Sequence, residues 1–298
     1  MTIAVWRPLE RKACVRKGYN QNGKIQRYWA TTWKNVGGIK NGEATPEKVG
    51  ALKTLVYEKD LNVCWGNAFP KNLNEPFRRN YESLEDVGTD ILYLDFDKPD
   101  TSVTKDSNLL ERVNIGLSRL PDLGDASHLG LVAFYSSSAY WEMAKEAEPR
   151  IHVILFLDKV YPHEQIHAWQ SQFKEVLDPA TAIRSQPLLV ANPIFEAIEK
   201  RKIEGDQIII RPGEKLALPK IGNTRKPKNR EIFDFGRITI SKDKEEWLKR
   251  ELENARKGKL DGRRGEFLFN LFQREIFYNR KKFFSFRETS AYLEYLNI

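Results

Sequence analysis

The sequence predicts an α+β protein: a sheet flanked by helices over residues 1–222, then a small helical domain over residues 231–298. Three observations lead there. Apolar runs of strand length recur in the first part, as in "ILYL" (91–94), "LVAF" (131–134) and "IHVILFL" (151–157), each bounded by polar residues. Between them lie segments with apolar residues at helical spacing, such as 162–177. Past residue 230 the pattern turns charged and helical, at 243–258 and 264–296.

Taken in order, residues 11–35 read as a basic hairpin around Asn22-Gly23, a dipeptide that tolerates the positive φ of tight turns. Tyr28, Trp29 and Trp33 lie among Lys17, Lys24, Arg27 and Lys34, and aromatics among cations can stack bases and hold phosphates. Thr45-Pro46 opens a helix that runs to about Lys59, with Thr as cap and Pro at the first helical position. "NVCWGNAF" is an expected strand, and 71–89 an irregular stretch. Residues 106–119 form an expected helix, 129–138 a strand ending in Ser136, Ser137 and Ser138, and 150–157 a buried strand. The helix over 162–177 puts Ile166, Trp169, Phe173 and Leu177 on one face and is stopped by Asp178-Pro179. "QPLLVANPIF" is another extended stretch, and 223–230 a basic, turn-rich linker.

Composition narrows the class. The chain has 298 residues and a net charge of +8. That charge is uneven: +7 over residues 1–60, −6 over 61–220 and +7 over 221–298. An acidic centre between basic arms suits a metal-binding core held against a polyanion. Two cysteines, Cys14 and Cys64, are too few for a four-thiolate zinc site or a disulfide framework, so a reducing cytoplasm is the expected location. No apolar run is long enough to span a bilayer, and no phosphate loop of the Gly-x-x-x-x-Gly-Lys-Ser/Thr kind occurs.

The chemistry centres on "YLDFD" (93–97). Residues two apart on a strand point the same way, so Asp95 and Asp97 project together while Phe96 faces the opposite side. Two adjacent carboxylates repel unless a cation compensates them. Oxygen ligands of this type favour Mg²⁺ or Mn²⁺, with substrate phosphates completing the shell. The other reading is a polar turn over 97–100.

The order of "YLDFD", then "RIHVILFL" with His152, then "VLDPATAIRSQPLLVANPIF" with Asp178, resembles the archaeo-eukaryotic primase superfamily, in particular the primase-polymerases of phages and plasmids. That family carries Asp-x-Asp on one strand, a histidine on a later strand and a third aspartate further on. The Gln186-Pro187 and Pro193-Ile194-Phe195 segments look like the corresponding stretch of phage primases. The resemblance covers about residues 60–220. It implies an RNA-recognition-like sheet, mixed or antiparallel, carrying the site. It also implies Asp95, Asp97 and Asp178 as catalytic metal ligands for two cations, and His152 against the phosphates of the incoming nucleoside triphosphate. Position 150 is Arg where the family has a small residue, so Arg150, Ser136, Ser138 or Arg184 would supply the remaining triphosphate contacts. "DGRRGEFLFNLFQREIFY" (261–278) resembles the helical module behind many primase domains, and Arg263 and Arg264, with Lys24 and Arg27, would grip single-stranded DNA.

The implied enzyme is a DNA primase or primase-polymerase, expected as a monomer, with a replicative helicase fused or recruited and no membrane partner. The ending of the sequence soon after an amphipathic helix would also suit a piece of a longer replication protein. Five further readings stand beside these. Asp234 in "IFDFG" rivals Asp178, and His163 and His167 have zinc-like i, i+4 spacing but read better as solvated helix surface. A nucleotide-sugar glycosyltransferase also uses Asp-x-Asp, but needs no basic flanks. A non-catalytic, DNA-binding replication initiator would use the basic arms and leave the aspartates without a purpose. A nicking relaxase needs a second histidine beside His152, which "IHVIL" lacks.

Overall fold

In the computed structural model the strand-length runs pair into sheets, since only pairing satisfies the backbone N–H and C=O groups of apolar segments. The structure describes residues 3–10, 13–25, 30–104, 106–141 and 148–218. Strands β1 (Ile3–Pro8), β2 (Gly18–Asn20), β3 (Gly23–Ile25) and β4 (Trp33–Ile39) precede helix α1 (Pro46–Glu58). Strands β5 (Cys64–Gly66) and β6 (Thr89–Phe96) lead to α2 (Leu109–Ser118), and β7 (Leu131–Tyr135) and β8 (Ile151–Tyr161) to α3 (His163–Gln170). The short strands β9 (Pro187–Leu188), β10 (Ile194–Phe195) and β11 (Ile208–Arg211) follow. The chain divides into two units, Met1–Thr224 and Arg225–Ile298. The expected linker (223–230) and helical domain, with Arg27, Asp234, Arg263 and Arg264, lie outside the described residues.

The described part is mixed α+β. One antiparallel sheet has the order β4-β1-β5-β9, and another β11-β7-β8-β6. A small third sheet, β10-β2-β3, contains one parallel pairing, β10 on β2. Alternation along the strands sets the layers. Leu92, Leu94, Phe96, Ala133, Val153 and Leu155 pack against Leu109 and Val113 of α2 and Trp169 of α3. On the opposite face Tyr93, Phe134, Ile154 and Phe156 meet Val49 and Val56 of α1 and Val5 and Trp65 of the first sheet. The outer face of that sheet buries Trp6, Trp33 and Cys64 under Phe69, Phe77 and Leu84 of the irregular 67–88 stretch.

Local chemistry accounts for the helix ends. The Thr45 hydroxyl accepts from the Lys48 N–H at 3.3 Å, and Pro46 follows it. Asn108 and Glu111 form a reciprocal capping box, which starts α2 at Leu109 rather than at 106. The helix expected over 162–177 stops at Gln170 and continues as a tight turn, Ser171–Phe173. There the Ser171 hydroxyl donates to the His167 carbonyl at 2.6 Å, sharing it with Ser171's own N–H at the helix end.

Three further expectations change. In the hairpin Asn20 pairs with Gly23, so Gln21-Asn22 make the turn and Gly23, at φ +121°, begins the return strand. Trp33, expected at the hairpin's end, opens β4 in a different sheet. The strand expected to end in serines ends at Tyr135, and Ser137 begins a tight turn.

Two tests follow from this packing. Leu94→Ala, at a fully buried position of β6, is expected to cost about 2–5 kcal/mol in a denaturant titration. Glu10 holds the β1–β4 junction: its Oε1 accepts from the Thr31 hydroxyl (2.6 Å), the Thr31 N–H (2.8 Å) and the Thr32 N–H (2.7 Å). The Thr31 hydroxyl first, with the backbone amides, outweighs partial burial and lowers its pKa from 4.5 to about 2. A depressed carboxyl stabilises the fold above its unfolded value and loses that contribution as pH falls toward the folded one. Melting temperatures between pH 5 and pH 2 should therefore fall less steeply in Glu10→Gln than in the parent.

Candidate active site

Sheet register builds the site. Antiparallel pairing of β6 with β8 puts Asp95 opposite His152, and pairing of β7 with β8 puts Phe134 opposite the same histidine. Directly opposed residues share a face, so Asp95, His152 and Phe134 form one row, with Tyr93 two residues back from Asp95. The His152 Nε2 lies 3.3 Å from Asp95 Oδ1, and its Nδ1 lies 2.6 Å from the Tyr93 hydroxyl. A carboxylate only accepts, so it is an N–H at Nε2 that would face Asp95, and Nδ1 shares the 2.6 Å hydrogen bond with the Tyr93 hydroxyl. Edge-on contact with Phe134, with ring centres 5.3 Å apart, completes the histidine's enclosure.

Burial and charge act on the two aspartates with opposite results. Burial works to raise Asp95, but the charge and Nε2–H of His152, then Lys17 and Lys98, lower it on balance. Burial, and then repulsion from Asp95, raise Asp97 despite His152, Lys17 and Arg150. The 3.3 Å contact with His152 falls short of hydrogen-bond alignment, so buried Asp95 Oδ1 has no hydrogen-bond donor among the described residues. Asp97 lies just past the end of β6, where Ser136 Oγ donates a long 3.5 Å bond to its Oδ1. Ser136 Oγ in turn shares a 2.8 Å hydrogen bond with Ser138 Oγ.

Arg150 holds its place through a left-handed backbone (φ +50°), an ion pair with Glu148 and a 3.4 Å bond to the Ser138 carbonyl. The segment 193–195 brings in the N-terminal cations. The Ile194 N–H donates to the Lys17 carbonyl at 2.9 Å, and Phe195 pairs with Tyr19. Lys17 is thereby set beside both acids, and Tyr19 stacks between Trp141 and Phe195, with ring centres at 5.5 and 5.8 Å. Burial, then Asp97, push the Tyr19 phenol up.

The other expected residues stand apart. The Asp178 N–H donates to the Asp95 carbonyl at 3.2 Å along the free edge of β6. Its exposed carboxylate, however, accepts from the Ala180 N–H at 3.0 Å and caps the turn Pro179–Ala182. Among the described residues no group of three His, Cys, Asp or Glu side chains is placed to hold a metal ion. Of the three expected ligands, Asp95 and Asp97 lie together, while the Asp178 carboxylate is engaged in that turn. Arg184 is also turned away, pairing with Asp86 at 2.9 Å and lying over the Tyr81 ring. His163 is buried, not solvated, and Lys24 lies exposed on β3.

Sequence reasoning passed over Tyr93 and used Lys17 and Tyr19 only as parts of a hairpin. Tyr93 had a signal, since it shares the face of Asp95 at i−2. Comparison with protein-family models, curated proteins and solved structures returned no match. Among the described residues no helix is long and apolar enough to cross a membrane.

The opposed shifts give an opposed pair of mutants. A carboxyl with a raised folded pKa costs stability once ionised, above its unfolded value; one with a lowered pKa contributes stability there. At pH 7 Asp97→Asn is therefore expected to raise the denaturant midpoint. Asp95→Asn should lower stability by about 1–3 kcal/mol, because His152 loses its buried partner.

Proposed function

We propose that the protein is a template-dependent nucleotidyltransferase of the primase type, making or extending primers on single-stranded DNA. The observation that carries the reading is the cross-strand pairing of Asp95 with His152, with Asp97 beside them. These motifs are far apart in the chain, and they are the ones on which the primase resemblance rests. In that reaction a 3′-hydroxyl attacks the α-phosphate of a nucleoside triphosphate and pyrophosphate leaves.

Asp95 and Asp97 would hold a Mg²⁺ or Mn²⁺ ion, which when bound neutralises phosphate charge and activates the attacking oxygen. The chain's own part is charge and orientation. His152, fixed by Tyr93, offers an Nε2–H donor on the same face. Lys17, Lys98 and Arg150 surround the pair with positive charge that suits phosphate oxygens. Ser136 and Ser138 add hydroxyls at its rim, and the Trp141–Tyr19–Phe195 stack offers ring faces of the kind that hold bases. The net charge of +7 over residues 1–60 suits a template phosphate backbone.

One observation favours a second reading, a non-catalytic DNA-binding replication initiator: Asp178 does not join the acid pair. Extension of an unprimed single-stranded template with labelled nucleotides and Mn²⁺ separates the two. Asp95→Ala and Asp97→Ala are each expected to lower synthesis by about 100-fold or more, the scale of losing a group that acts in the transition state. Near-parental synthesis by either variant would overturn that residue's role. No synthesis by the parent, together with specific duplex binding, would favour the initiator.

A further inference from the structure

On the α1 side of Phe134 lies a second charged site. Lys53, on α1, is 5 % exposed, and its Nζ donates to the Val190 carbonyl at 2.9 Å. The same nitrogen stands 4.7 Å from the centre of the Phe134 ring and 5.6 Å from that of Tyr57. A lysine buried this deeply normally has a carboxylate partner. Here the surrounding recess, formed in part by Tyr57, Phe134, Ser137, Tyr140, Asn192 and Gln207, has no acidic lining residue among the described residues. Val190 supplies the acceptor for one Nζ proton, and aromatic faces lie beside the others.

A second cation is drawn to the same rings. Lys200 Nζ lies 4.2 Å from the Tyr140 ring centre and 5.6 Å from that of Tyr57, so the two lysines share Tyr57. Burial first, and then repulsion from Lys200, bring Lys53 down to about 8, which still leaves it mostly protonated at neutral pH. Asp60, the acid that feels Lys200, is already held by Arg16 at 2.7 Å and by the Asn192 amide at 3.1 Å. Two like charges held together with no lining counter-ion are a site for an anion. The recess has room for about one water-sized group, the size of a single oxyanion oxygen.

We propose that this recess is a phosphate-binding subsite: one phosphate oxygen enters to take the remaining Lys53 N–H donors, and Lys200 neutralises the oxygens outside. Phe134 touches both Lys53 and His152, so the subsite is one ring away from the acid pair. The identity of the phosphate as a nucleotide's rests on the nucleotidyltransferase reading; the anion chemistry does not.

Calorimetric titration of the full chain with pyrophosphate, with no divalent cation present, tests it. Saturable binding is expected in the parent, weaker by about tenfold in Lys53→Met for one lost charge-assisted contact. A loss of about threefold is expected in Lys200→Gln, and none in Lys174→Gln, an exposed lysine just past the turn Ser171–Phe173. No saturable binding in the parent, or parental affinity in both lysine variants, overturns the proposal. If Lys53→Met does not fold, the exposed Lys200 decides: parental affinity in Lys200→Gln then overturns it. Nucleoside triphosphate should compete with pyrophosphate, and an oligonucleotide lacking terminal phosphates should not; the reverse overturns a nucleotide source. Lysine-dependent binding without template-directed synthesis would sink the enzymatic reading alone, and synthesis without lysine dependence would sink the subsite alone.

Discussion

A carboxylate enclosed at the end of a buried strand must find a positive partner, and in this protein the partner is fixed by strand register. Asp95 lies opposite His152 because β6 and β8 pair antiparallel with that alignment. A slip of one residue would send Asp95 to the α2–α3 side and leave Phe96 facing His152. Register is held from both sides, since alternate residues of β6 are buried in two separate clusters. The edge of β6 is secured as well: Gln170 Nε2 and Thr181 Oγ1 both donate to the Tyr93 carbonyl, at 2.7 and 3.1 Å. Core packing and site geometry are thus one constraint, and the Tyr93–His152–Asp95 chain inherits its order from the sheet.

Around that row the charges are arranged rather than merely numerous. Cations from distant parts of the chain reach the acid pair by separate routes. Lys98 follows the strand itself, Arg150 enters on β8's leading turn, and Lys17 arrives through the pairing of residues 194–195 with β2. The Gln186–Phe195 segment therefore serves the architecture twice. Pro187 and Leu188 extend the first sheet, and Ile194 and Phe195 hold the N-terminal strand beside the acids. Across Phe134, Lys53 lines a recess with no acidic residue among the described ones, and Lys200 lies over the neighbouring Tyr140 ring. The acid pair and the two lysines are thus separated by a single ring.

Much of the site was legible in the sequence because it depends on short-range rules. The two-residue repeat of a strand set Asp95 and Asp97 on one side, and the apolar runs marked 91–94 and 151–157 as buried strands. The caps at Thr45 and Asn108 are local as well, and α1 falls where Thr45-Pro46 indicated. Less was legible where long-range contacts compete with local signals. Trp33 left its hairpin because β1, where it pairs with Pro8 twenty-five residues back, offered a longer edge. The helix after β8 ends at Gln170, and Ser171, whose hydroxyl and N–H both donate to the His167 carbonyl, begins a tighter turn.

The sequence by itself determined the strand-borne acid pair, the acidic centre between basic arms and the mixed α+β class, since composition and periodicity are properties of neighbours along the chain. Tertiary structure alone decided that His152 pairs with Asp95 and that Asp178 caps a turn instead of joining them. It alone made Lys17 a neighbour of both acids, and left Lys53 buried with no acid lining its recess among the described residues. Those outcomes depend on strand register and on which carboxylate or carbonyl lies within about 3 Å of each charge, distances set by packing that sequence spacing does not encode.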